Sequence, residues 1–200
     1  MAKRNKKTTK RSSKIKAIKT FWKLFAIGIG SIFLFFLLAS FGVFGELPDE
    51  TILENPEKNL ATQIISTDGS TLGKFYKENR TPVKFSDLPD HLIKALVATE
   101  DERFYKHSGI DARGTLRAAI FLGSKGGAST ITQQLAKLLF TGTPSRNIFS
   151  RATQKIKEWI IAIRLEKRYT KEEIITMYLN TQDFIYQAIG IQSASNTYFG

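Results

Sequence analysis

Hydrophobic and polar positions divide this 200-residue chain into distinct textures. From Leu24 to Gly45 runs an uncharged block of 22 residues, LFAIGIGSIFLFFLLASFGVFG. As a helix rising about 1.5 Å per residue it reaches roughly 33 Å, enough for a hydrocarbon core of about 30 Å. It is longer than the roughly 7–15 apolar residues of a cleaved signal peptide, so a retained transmembrane anchor over 24–45 is expected. Residues 46–61, acidic and holding two prolines, read as a linker. Runs of β-forming residues at 62–67 and 71–77 then flank Asp68-Gly69, a strong hairpin signal. After Pro89 the period changes to that of a helix. Apolar residues recur at 92, 93, 96 and 97, at 131, 135, 138 and 139, and at 156, 159, 160 and 163. Thr170 with Glu173 forms a capping-box pattern that opens a further helix over 171–180. The expected fold class is mostly α: a helical domain over 62–200 with a small membrane-proximal β-hairpin and one N-terminal transmembrane helix. The run TYFG, residues 197–200, reads as the middle of an element, so the domain is expected to be incomplete at its C-terminus.

Charge changes the picture in one respect. The chain carries 30 Lys+Arg against 18 Asp+Glu, a net +12, which at first sight suggests a nucleic-acid binder. Ten of those bases lie in the acid-free stretch up to Lys23, which leaves 20 bases against 18 acids, a net of +2, over residues 24–200. The surplus is therefore a basic tail, residues 1–23, beside the apolar block, and Glu46, Asp49, Glu50 and Glu54 follow on the other side. By the positive-inside rule the tail stays cytoplasmic and everything after Gly45 is exported. The tail then touches anionic lipid head groups, and nucleic acid is not an expected partner. The chain has no Cys, which excludes disulfides, thiolate nucleophiles and Cys-based zinc sites, and His91 and His107 are its only imidazoles.

Three constellations carry candidate chemistry. Ile93, Val97, Glu100 and Phe104 follow i, i+4, i+7, i+11, so Glu100 is expected to continue an inward-facing apolar stripe while Asp101 and Glu102 turn away. A desolvated carboxylate suits a general base; the plainer alternative is a helix end where Glu100 pairs with Arg103 or Lys106. In GGASTITQQLAKLLF, residues 126–140, the glycines and Ser129-Thr130 precede a helix whose free backbone N–H groups suit a phosphate. Gln133, Gln134 and Lys137 are expected on its polar face. The alternative is an ordinary Ser/Thr cap above a solvated face, and neither GxxxxGK[ST] nor GxGxxG is present. Arg151, Lys155 and Glu158 form a third stripe beside an apolar face of Ile156, Trp159, Ile160 and Ile163. Taken alone, such a stripe is as readily a row of surface ion pairs, each contributing roughly 0–1 kcal/mol.

The combination is more specific than its parts. The strings ATEDERFYKHSGID (98–111), GGASTITQQLAK (126–137), QKIKEWIIAIRLEKRYTKEEI (154–174) and YLN (178–180) closely resemble, in order and spacing, the peptidoglycan glycosyltransferase domain, family 51 of the glycosyltransferases. That domain occurs in class A penicillin-binding proteins and in monofunctional transglycosylases. The resemblance covers about residues 60–200, and the hairpin with the linker before it looks more like the bifunctional class. It implies a lysozyme-like, mostly helical domain on the outer face of the cytoplasmic membrane. The implied activity is polymerisation of lipid II into glycan strands, by inverting transfer of the growing chain onto the 4-hydroxyl of lipid II with release of undecaprenyl diphosphate. Lipid II, the glycan strand and membrane lipids are the implied partners, and cell-wall synthesis proteins are candidates.

By the same resemblance Glu100 matches the catalytic base and Lys137 the diphosphate-contacting lysine. Glu158 matches the second glutamate, orienting Lys155 or holding a divalent cation, so Mg2+ or Mn2+ is a candidate cofactor. Ser129, Thr130, Gln133 and Gln134 would line the donor site, and Arg103 and Lys155 would complete its positive wall. Gln154 stands where the family usually has an arginine, and Arg151 and Arg146 are the candidates to supply that charge. Thr176 replaces a usual acid, and Ile185 and Ile189 replace a usual glycine and tyrosine. Two other classes compete with the polymerase: a lytic transglycosylase or muramidase, which needs no diphosphate wall, and an inactive membrane-anchored scaffold.

Overall fold

The computed structural model describes residues 5–54, 62–65, 67, 71–75, 79–121, 124, 126–143, 146–186 and 188–200. Residues 1–4 of the basic tail, the end of the linker and the Asp68-Gly69 turn lie outside them. The chain forms two compact units, Met1–Glu46 and Leu47–Gly200.

The first unit is helix α1, Asn5–Ser40. Its stretch Lys14–Ser40 has a mean hydropathy of 2.1 in its most apolar window and is long and apolar enough to cross a membrane. Gly42 and Gly45, both at positive φ, end the apolar block in turns after the helix stops.

The second unit is mostly helical, as expected. Strands β1 (Thr62–Ile65) and β2 (Thr71–Phe75) pair antiparallel, with Thr62 opposite Phe75 and a register shift between Ile64 and Ile65. Residues 66, 76 and 77 of the runs that predicted them lie outside the described residues. The segment read as a linker contains a short helix, α2 (Glu50–Glu54), whose Leu53 is buried in the core while the Tyr169 hydroxyl donates to the Leu53 carbonyl at 2.5 Å. Helices α3 (Asp90–Glu100), α4 (Ala112–Ile120), α5 (Ile131–Ala136), α6 (Ile148–Arg168), α7 (Lys171–Thr181) and α8 (Ile191–Phe199) follow. The α7 capping box forms as predicted: the Thr170 hydroxyl accepts from Glu173 N, and Thr170 N donates to the Glu173 carboxylate at 2.7 Å.

Helix α5 is the centre of the domain. Ile131, Leu135 and Ala136 are fully buried and pack with Phe104, Ile161, Leu165, Ile174 and Ile175. Buried polar links hold its surroundings: Thr132 Oγ1 donates to Glu166 at 2.5 Å, and Lys171 Nζ binds Glu166 at 2.7 Å and lies 4.2 Å from the centre of the Phe104 ring. The apolar stripe predicted for α6 is turned from the observed one. Its buried residues are Glu158, Ile161, Ala162 and Leu165, whereas Ile163 is 37% exposed.

A second small sheet, absent from the sequence reading, joins distant parts of the chain. Strand β3 (Asn79–Arg80) runs parallel to β5 (Ala188–Ile189), which pairs antiparallel with β4 (Asp183–Phe184). Beside it the Asn180 side chain accepts from Val83 N and donates to Val83 O, both at 2.9 Å, and Thr81 N donates to Ser193 Oγ at 3.1 Å.

Candidate active site

The site is built where α3 ends. Glu100 is the last helical residue, and Asp101 leaves the helix with φ −158° and ψ 74°. The break reverses the expected orientation of the two acids. Glu100 is exposed, and Asp101 is the one that turns inward, at 7% exposure. Its carboxylate accepts from Ile131 N at 3.2 Å and meets His107 Nε2 at 3.0 Å through both oxygens. One buried acid thus ties the loop after α3 to the first turn of α5.

That tie is doubled at Gly109. Its carbonyl accepts from Thr130 Oγ1 at 2.7 Å and from Gln133 Nε2 at 3.1 Å, and Thr130 Oγ1 in turn caps α5 by accepting from Gln133 N. Gly109 lies at φ +85°, a conformation costly for other residues, and a Cβ there would stand 2.9 Å from Ala162 C and O. The backbone amides that suggested a phosphate cradle are therefore engaged within the protein: Ile131 N by Asp101 and Gln133 N by Thr130. Thr130 and Gln133 are buried, at 1% each, and do not form an exposed polar face.

Two cavities open around this frame and meet at Ser129. The first, about 260 Å³, is lined by Glu100, Asp101, Glu102, Arg103, Asp111, Arg117 and the 126–130 backbone. Arg103 belongs here and not to the cationic wall. Its guanidinium grips Asp111, with Nε 3.2 Å from Oδ2. Burial alone would push the Asp111 carboxyl up, but the hydrogen bonds and charge of Arg103 and a backbone N–H hold it below the usual carboxylate value.

The second cavity, about 550 Å³, is lined by Ser129, Gln133, Gln134, Lys137, Arg151, Gln154, Lys155 and Glu158. Lys155 Nζ donates to Ser129 Oγ at 2.8 Å and to Glu158 Oε2 at 3.0 Å, and Thr141 Oγ1 donates to Glu158 Oε1 at 3.3 Å. Glu158 is 5% exposed, which makes it a fixed counter-ion at the base of the wall. Lys137 and Arg151 have no acceptor for their charged groups among the described residues. Arg146 is exposed and lies outside the lining. Gln154 has a local role of its own. Beyond α5 the helix widens over Lys137–Thr141 into a π turn, and the Gln154 amide donates to the carbonyls of Thr141 and Gly142 at 3.5 and 3.3 Å.

Glu100 and the second cavity are linked. Gln134 Nε2 donates to Glu100 Oε2 at 2.8 Å, and Gln134 Oε1 accepts from the Tyr178 hydroxyl at 3.0 Å. Tyr178 is 5% exposed, and burial, with the Glu100 charge adding to it, pushes its phenol up to about 12. Sequence reasoning gave Tyr178 no role; a buried hydroxyl on a helix packed against α5 was the available signal. The departures at 176 and 185 fall outside both cavities: Thr176 Oγ1 bonds back to the Glu172 carbonyl, and Ile185 is 72% exposed.

A transglycosylase family model matches residues 68–200, which holds every residue of this site. The chain belongs to the transglycosylase family. Penicillin-binding protein 1A of Escherichia coli (strain K12) is 42% identical over 159 residues, covering 78% of this chain and 18% of the relative. Penicillin-binding protein 1F of Bacillus subtilis (strain 168) is 43% identical over 143 residues, 70% of this chain and 19% of the relative. For penicillin-binding protein 1A of Vibrio cholerae the figures are 37% over 178 residues, 87% and 20%. The chain thus spans about a fifth of the length of these curated relatives. Its transglycosylase domain is a peptidoglycan glycosyltransferase domain of the class A penicillin-binding-protein type, as the sequence motifs implied.

Proposed function

We propose that this domain polymerises lipid II on the outer face of the cytoplasmic membrane, with α1 as anchor and the basic tail inside. The carrying observation is the pairing of an exposed, hydrogen-bonded carboxylate, Glu100, with an adjacent wall of Lys137, Arg151 and Lys155. A sugar hydroxyl is a poor nucleophile, and Glu100 takes its proton as it attacks. The incoming lipid II 4-hydroxyl oxygen bonds to the anomeric carbon of the growing chain from the face opposite the lipid diphosphate. The carbon–oxygen bond to that diphosphate breaks with its electron pair, and the configuration inverts. The departing group is a stable anion that needs charge rather than a proton, which Lys137, Arg151 and Lys155 supply. Glu158 holds Lys155 in place.

The lining of the second cavity, around Glu158, does not fit a divalent cation. Glu158 is the single acid among three cations, and its oxygens already meet Lys155 and Thr141. The same cationic wall favours a polymerase over a lytic enzyme, whose substrate carries no diphosphate. The test is incubation of the full-length protein in detergent with fluorescent lipid II beside Glu100→Gln. Polymer from the parent and none from the variant is expected; shortening of preformed glycan, or no product from a folded parent, would overturn the reading.

A further inference from the structure

The hydrogen-bonded line through Gln134 gives α7 a part in the chemistry. We propose that Tyr178 is a positioning residue for Glu100, acting through the Gln134 amide; this rests on the reading of Glu100 as the base. Glu100 is exposed at the end of α3, with only Gln134 as hydrogen-bond partner to its carboxylate among the described residues. An ionised carboxylate only accepts, so the amide must turn Nε2 toward it and Oε1 away. Oε1 then needs a donor, and the buried Tyr178 hydroxyl provides one at 3.0 Å. The high phenol value keeps that hydroxyl protonated across the working range. With the amide locked, Oε2 of Glu100 is held and Oε1 is left for the sugar hydroxyl. Without the tyrosine hydroxyl, the amide is free to rotate, and its oxygen would repel the carboxylate.

Removing one hydroxyl from the far side of Gln134 should therefore affect the chemical step and not the binding of substrate. In the full-length protein with fluorescent lipid II, Tyr178→Phe is expected to lower kcat roughly 10-fold through misplacement of the base. KM should stay within about 2-fold. A role in packing alone would not separate kcat from KM in this way. In a Gln134→Met background, where the line is already cut, Tyr178→Phe should cost less than about 2-fold more. Should Tyr178→Phe fail to fold, Gln134→Met carries the test through its own loss of kcat. Parental kcat in Tyr178→Phe, losses that multiply in the double variant, or parental kcat in Gln134→Met would overturn the relay. If Glu100→Gln is inactive at the same time, the base assignment stands and the relay alone falls. If Glu100→Gln remains active, both fall.

Discussion

Gly109→Ala is expected to be among the most damaging single methyl additions in the domain, and its cost can be divided into parts. The backbone at φ +85° costs a non-glycine residue about 1 kcal/mol or somewhat more. The new Cβ would lie 2.9 Å from Ala162 C and O, inside any normal contact and against main chain in the middle of α6. The loop must then withdraw, which strains the two hydrogen bonds the Gly109 carbonyl accepts at 2.7 and 3.1 Å, about 1 kcal/mol each. The sum is about 3–4 kcal/mol. With a urea m-value of about 2 kcal/mol/M, the unfolding midpoint should fall by roughly 1.5–2 M. Gly126→Ala separates the terms, since Gly126 has φ +93° but nothing within 4 Å of where a Cβ would stand, so only the conformational part, about 1 kcal/mol, is expected. Pulse proteolysis over a urea series in detergent micelles reads both. Equal losses for the two variants would refute the steric argument, and a Gly109→Ala loss under about 1 kcal/mol would refute the pinning of the loop altogether.

Asn180→Leu removes both bonds to Val83 and should destabilise the domain by about 2–3 kcal/mol, read by the same urea series. Lys155→Met leaves the Glu158 carboxylate buried with only Thr141; because Lys155 is partly exposed the stability loss is discounted to about 1–2 kcal/mol, and polymerisation should fall at least roughly 10-fold. Asp111→Asn preserves a helix-capping residue but removes the partner of Arg103. The Asp111 carboxyl lies below its unfolded value, so its contribution is full above about pH 4 and fades as pH falls through the lower folded value. The parent should therefore be more stable than Asp111→Asn at neutral pH, and the two should converge in acid, as thermal midpoints across a pH series will show.

The long helices and the hairpin were legible because each repeats its period over enough residues. The β3-β5-β4 sheet was not, since two-residue strands leave no period to read and β3 depends on a partner strand about a hundred residues away. The motifs located both cavities, but helical phase misplaced the acids: it was carried through residue 101, where the helix has already ended, and Asp101 instead of Glu100 is the buried one. On α6, polarity suggested that Glu158 lay on the outside; pairing with Lys155 and Thr141 is what allows it to be buried. Gln133 was misplaced for a related reason, because the carbonyl that satisfies its amide comes from Gly109, 24 residues earlier.

The clasp at Val83 and Thr81 also sets an order of assembly. Its partners, Asn180 and Ser193, lie 97 and 112 residues further along. At synthesis rates of about 5–20 residues per second they emerge roughly 5–20 s after the segment they hold. During that interval the edge at 79–84 has neither its strand partner nor its clasp, and it is open to capture by a chaperone or by another nascent chain.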